Sequence, residues 1–222
     1  MHDLLDSPRF RFVLDYFRTL DFTNRDVYAN WLAQTYYFVS HSVRLSALGA
    51  SRLDVDHPLS QRMVAHTREE AGHHKLAKRD IEALGRRLED FPQLGVTSAF
   101  YQAQYYVVLF EDPAHLIGQI LMLEAVSVEL GAWMHDLVHA RHGEAASRFV
   151  KVHAQEDQDH VRKAIAAVNE LPPAQQAGVA RNFSQACEMY FLILRSIRES
   201  TDSLTTAPLL AATEAASLEI AS

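Results

Sequence analysis

Apolar residues return every three or four positions through most of the chain, and no long segment alternates apolar and polar with period two. That is the rhythm of helix faces turned toward a shared core, so the sequence predicts an all-α protein with six or seven helices and no sheet. Helix starts are marked by Asn24, by Pro58 after His57, by Pro113 after Asp112, and by Pro172 and Pro173 after Leu171. Proline suits the first helical turn because the N–H it lacks would have no partner there anyway. The pattern places helices at about 8–20, 24–50, 58–84, 97–110, 113–141, 144–170 and 173–200, each end loose by about 2–4 residues. Gly85, Gly95 and Gly143 fall in the connections, and no stretch between them reads as a linker. Residues 1–204 therefore form one helical-bundle domain, and 205–222, rich in Ala, Ser and Thr, a tail or short docking helix.

Composition adjusts this picture in a few places. The 222 residues are 48% hydrophobic, enough for one ordinary core, and eight Gly and seven Pro are too few for the turns of an all-β fold. A lone Cys187 excludes an intramolecular disulfide and a cysteine-based metal cage, which suits a reducing cytoplasm. With no His beside it in its helix, Cys187 reads as a small buried hydrophobe. A net charge of −7 argues against a phosphate-binding surface, so nucleic acid is not an expected partner. The N-terminus, MHDLLDSPRFRF, mixes both signs of charge where a secretory signal needs an apolar run. The most apolar stretch, Leu116 to Val126, carries Gln119 and Glu124 and is too short to span a bilayer, so no membrane partner is expected either. Apolar helices from Phe100 to Phe110 and near the C-terminus leave room for a homodimer.

Twelve histidines are the unusual entry in the composition. HTREEAGH, His66 to His73, falls in the third helix and HAQEDQDH, His153 to His160, in the sixth. Each places a His four residues before a carboxylate and a second His three residues after it: His66, Glu70, His73 and His153, Asp157, His160. At about 100° per residue these positions share one helix face over about two turns. Imidazole nitrogen with carboxylate oxygen suits iron, manganese or zinc, and the lack of thiolates argues against structural zinc. Glu124 stands among Ile117, Ile120, Leu121 and Val128. A carboxylate there must be neutral, paired or metal-bound, and the two His/carboxylate helices make metal the economical partner. The arrangement follows dinuclear carboxylate bundles, in which two helices each give a carboxylate-x-x-His pair and two others a carboxylate.

The fourth contribution stays open. The helix at 24–50 has no Glu and only Asp26 at its far end, so His41 is a candidate ligand, or His66 and His153 complete the set. Register is open too, because Glu69 precedes Glu70 and Glu156 precedes Asp157 near the same face. His74, His135, His139 and His142 read as surface or supporting residues. Glu188 reads as one half of a buried ion pair with Arg181 or Arg195, with the cavity as its alternative. Tyr36, Tyr37, Phe38, Phe100, Tyr101, Tyr105 and Tyr106 fit core packing; if they line a cavity, it favours an apolar or aromatic substrate.

From about Tyr36 to about Asn169 the chain resembles the haem-oxygenase-like fold, and within it the non-haem di-iron oxidases and oxygenases known as iron-containing redox enzymes. YYFVSHSVRLSAL, HTREEAGHHKLAKRDIEALG, Glu124 and HAQEDQDH carry the resemblance, most specifically His153, Asp157 and His160. It implies a helical fold shared with thiaminase II, pyrroloquinoline-quinone synthase and haem oxygenase, and an oxidoreductase that uses dioxygen on a small fatty-acid, amino-acid or amine substrate. The implied cofactor is two irons, rather than manganese or zinc, held by His66, Glu70, His73, Glu124, His153, Asp157 and His160. Family members add a Glu from the first core helix that this chain lacks, so one iron position is expected to be the more labile. Thiaminase chemistry needs a Cys nucleophile placed earlier than Cys187, and His2 makes a poor proximal haem ligand. The alternative from another class is a non-catalytic helical binding or scaffold protein with weak metal affinity or none.

Overall fold

The computed structural model describes residues 2–220 in backbone and 4–200 in side chain. Its helices are α1 (His2–Leu5), α2 (Pro8–Arg18), α3 (Arg25–Val39), α4 (Ser42–Arg52), α5 (Pro58–Glu69), α6 (His73–Ala83), α7 (Gly95–Phe110), α8 (Ile117–His142), α9 (Arg148–Asn169) and α10 (Pro173–Ile220). Single 3₁₀ turns at Leu88–Asp90, Pro113–Leu116 and Glu144–Ala146 join them, and no strand occurs among the described residues. The boundary expected near 204 and the tail beyond it fall outside the residues described in side chain.

Helix starts follow the sequence signals. Asn24 Oδ1 accepts from the N–H of Asp26 at 2.9 Å, His57 Nδ1 from Leu59 at 3.2 Å and Asp112 Oδ1 from Ala114 at 2.9 Å, each satisfying an N–H that a helix start leaves open. Two expected helices are broken. The one at 24–50 divides at Ser40 and His41, where the Ser40 hydroxyl donates to the Tyr37 carbonyl at 2.7 Å and competes with the helical ladder. The one at 58–84 divides after Glu69. Gly72 there takes φ of 97°, a left-handed conformation that ends one helix and starts the next.

The core is arranged around α8, which buries residues on every side, from Ile117 through Leu121 and Leu130 to Val138. By length and composition the segment Pro113–His142 could cross a membrane, longer than the short stretch singled out in the sequence, but 67% of its apolar window is buried inside the fold. Two glycines let neighbours approach it. A Cβ on Gly131 would lie 2.8 Å from Ala154 Cβ of α9, and one on Gly118 would lie 2.4 Å from the Val179 carbonyl of α10. Helix α9 is thereby held with its polar stripe toward α5 and α6. Its first turn is fixed from α6, where buried Asp80 accepts from the Phe149 N–H at 2.8 Å.

Candidate metal centre

The break at Gly72 changes what the first motif does. Glu70 is the residue that caps α5 and His73 is the first residue of α6, so the two face each other across a turn, with His73 Nδ1 3.7 Å from Glu70 Oε1. On the facing helix, the ring of His153 meets that of His73 edge-on, centroids 4.9 Å apart. Glu70, His73 and His153 each bring one donor atom to within 4.8 Å of the other two, the spacing of ligands around a single ion. His153 Nδ1 donates to the Phe149 carbonyl at 2.8 Å, which fixes the tautomer and leaves Nε2 with its lone pair.

A second cluster lies beside the first. His66 Nδ1 is 3.4 Å and His160 Nδ1 3.7 Å from Glu124 Oε1, and Asp157 Oδ1 is 3.3 Å from His160 Nδ1. Each motif is thus divided crosswise. The carboxylate-x-x-His pair of one motif meets the leading His of the other, and Glu124 Oε1 faces the second cluster. All seven sequence candidates lie in this double cluster, and the neighbouring carboxylates of the two motifs differ in burial. Glu70 and Asp157 are buried, whereas Glu156 is half-exposed, with Oε2 3.9 Å from His73 Nε2. Glu69, 27% exposed, belongs to the second cluster, with Oε2 3.5 Å from His160 Nε2.

His41 is not brought in. Its ring stacks on Tyr101 at 3.8 Å and its Nδ1 lies 2.9 Å from the Tyr105 hydroxyl. Glu188 pairs on the surface with Arg9 at 3.0 Å, so neither the expected buried pair with Arg181 or Arg195 nor a place in the cavity is found. Cys187 is buried as expected, and burial pushes its thiol up to about 12, far from a nucleophile's range. Sequence reasoning missed Arg62. Buried beside the second cluster, it donates to Glu69 at 2.6 Å and approaches Glu124 at 3.4 Å. The available signal was its spacing, four residues before His66 and seven before Glu69 on one face of α5.

Protonation states fit a cation site. Burial lowers His66 to about 4, so the ring is neutral and able to bind metal. Burial alone would raise Glu70, but His73, His66 and His153 around it hold it down at about 2. Burial drives Glu124 well above its ordinary value, against the pull of Arg62, the signature of a carboxylate lacking enough positive charge. Buried polar atoms without a hydrogen-bond partner include His66 Nδ1, His73 Nδ1, His160 Nδ1 and Glu124 Oε2. Such atoms are rare in folded proteins, and one in the first cluster with three in the second suits bound cations. The donor set of imidazoles and carboxylates fits iron.

Glu70 and His153 of the first cluster and His66, Glu124 and Asp157 of the second line one wall of a cavity of about 110 Å³. Its lining follows α8 from Gln119 to Met134, about 22 Å at 1.5 Å per residue. Phe17, Trp31, Phe38, Leu123 and Leu130 make it mainly apolar, while Ser42, Ser46 and Tyr101 supply hydroxyls. Of the aromatics read from the sequence, Phe38 and Tyr101 line it, and Phe100 packs in the core.

Comparison with solved structures shows the fold. A haem-oxygenase-like domain of unknown function from Shewanella denitrificans superposes with a TM-score of 0.74 at 19% identity, over 92% of this chain and 90% of that one. A TenA homologue from Pyrococcus furiosus gives 0.68 at 13%, over 88% and 98%. A CADD-like protein of unknown function from Nostoc punctiforme gives 0.64 at 16%, over 85% and 86%. A comparison with curated protein sequences found no significant match. The family profile described as iron-containing redox enzyme matches residues 29–191, a span holding every residue of both clusters, and the chain belongs to that family.

Proposed function

We propose that the protein oxidises a small organic molecule with dioxygen at an iron centre held by the two clusters. The observation that carries this reading is the convergence of Glu70, His73 and His153 within 4.8 Å, with Glu70 and His153 at the wall of an apolar cavity. Two imidazoles and one carboxylate leave coordination positions open, and iron bound there supplies the redox chemistry with dioxygen. His66, Glu124, Asp157 and His160 would hold a second ion.

The chain's own residues supply the rest. Glu70, ionised at neutral pH, contributes the charge that offsets a divalent ion. The Phe149 carbonyl keeps His153 aimed, so little reorganisation is needed when a ligand arrives. Phe17, Trp31, Phe38 and Leu130 exclude water from the space in front of the cluster and favour a substrate whose bulk is apolar and narrow. Ser42, Ser46 and Tyr101 offer hydroxyls to orient a polar group on it. The partners in this reading are dioxygen and that small molecule, and the lone buried thiol suits a cytoplasmic setting.

Anaerobic reconstitution with ferrous iron, followed by metal analysis and exposure to dioxygen, tests the reading. Retained iron and dioxygen uptake are expected, both lost in Glu70→Ala and His153→Ala. A folded protein that retains no iron, or binds zinc tightly and ignores dioxygen, would overturn it.

A further inference from the structure

Arg62 is the member of the centre that no ligand pattern calls for. Its side chain is 7% exposed, and its Nη1 and Nη2 lie 2.6 Å from Glu69 Oε2 and 3.4 Å from Glu124 Oε1. Its Nε has no partner at all. A guanidinium cannot shed its proton, so burying one is costly unless nearby carboxylates need the charge. Here they do: Glu69, Glu124 and Asp157 gather around His66 and His160. The carboxylates that a second ion would use are already partly neutralised by a side chain.

A separate observation agrees. Among the described residues, only Glu70, His73 and His153 bring three donors to within 4.8 Å of one another. The cluster around Glu124 is no poorer in donors, yet it does not close.

Resting on the iron-centre reading above, we propose that Arg62 is an internal cation standing in the electrostatic place of the second metal ion. The chain then binds one divalent ion firmly at Glu70, His73 and His153. It takes a second beside Glu124, Asp157 and His160 only in competition with the guanidinium. The competition is direct, because Arg62 approaches the same Glu124 oxygen that faces His66 and His160. It is also long-range, because like charges in a buried site are poorly screened. Glu69 is 27% exposed and binds Arg62 more closely than Glu124 does, so the guanidinium has a carboxylate to keep when it yields Glu124.

The test is an anaerobic Fe(II) titration of the full chain, with metal counted after desalting and the weaker site followed through free Mn(II) by electron paramagnetic resonance. Wild type is expected to retain one ion per chain, with a second released at least about tenfold more readily. Arg62→Met and Arg62→Gln remove the charge in an apolar and a polar way, so that a folding failure in one leaves the other, with circular dichroism as the check. Each is expected to tighten the second site about tenfold or more and to change the first by much less. Arg62→Lys keeps the charge and should keep the second ion weak. Two equally firm ions in wild type, or a second site unmoved in both neutral variants, would overturn the proposal while sparing the iron-centre reading. No retained ion in wild type would overturn that reading and this proposal together.

Discussion

The two clusters are assembled from nearly the same parts. Each takes a carboxylate-x-x-His pair from one motif and the leading His of the other. They differ in what surrounds those parts. The cluster of Glu70, His73 and His153 has a preset imidazole, its carboxylate pairs with no arginine or lysine among the described residues, and its donors already converge. The cluster of His66, Asp157 and His160 has two further carboxylates, Glu69 and Glu124, and a buried arginine between them. Ligand identity therefore does not decide how ready a metal site is. The charge already present among the ligands decides it.

The largest expected effect separates the clusters outright. Glu70→Ala or His153→Ala should weaken the firmly held ion by about 100-fold or more, whereas His160→Ala should leave that ion in place; metal analysis after desalting distinguishes them. Equal losses from all three would mean the clusters act as one. Next comes Glu124→Gln, expected to weaken the second ion by about tenfold and to change the melting of the metal-free protein little, since burial already drives Glu124 toward its neutral form.

A smaller effect concerns the support of the first cluster and depends on pH. Burial raises Asp80 from 3.8 to about 6, so the folded chain keeps a proton that the unfolded chain has released. Stability of the metal-free protein therefore falls as pH rises from about 4 to about 6 on account of Asp80. His66 acts in the opposite direction. Held at about 4 instead of 6.5, it costs stability as pH falls below 6.5. In wild type the two partly cancel. Asp80→Asn should expose the His66 slope, steepening the gain in stability between pH 4 and 6 by about 1–2 kcal/mol, measurable by denaturant unfolding across that range. An unchanged slope would remove Asp80 from this account. The smallest effect is expected from His41→Ala, which should alter retention of either ion less than about twofold, because His41 is engaged with Tyr101 and Tyr105 instead.

Much of this was legible in the sequence because it depends on local rules. Capping residues and prolines placed the helix starts, the repeated His and carboxylate spacing picked out six residues of the double cluster, and the apolar setting of Glu124 gave a seventh. The crosswise pairing was not legible, because it depends on how α5, α6 and α9 face one another and on the turn at Gly72. Arg62 was hidden for a different reason. On a helix rich in Arg and Glu a single arginine resembles any solvated charge, and only packing shows that this one is 7% exposed. Glu188 failed the opposite way: its apolar neighbours suggested burial, yet it sits on the outer face of α10 with Arg9.

The short turn between α5 and α6 has a consequence of its own. In an unbroken helix His66, Glu70 and His73 would keep a fixed angular phase and serve one site together. The turn at Ala71 and Gly72 decouples that phase, so His66 faces Glu124 while His73 faces His153. Its length works as a gauge. Adding or removing one residue there would swing His73 away from Glu70 and leave His66, Glu124 and His160 where they are. A change in loop length, with every candidate ligand retained, is thus enough to dismantle one cluster and leave the other.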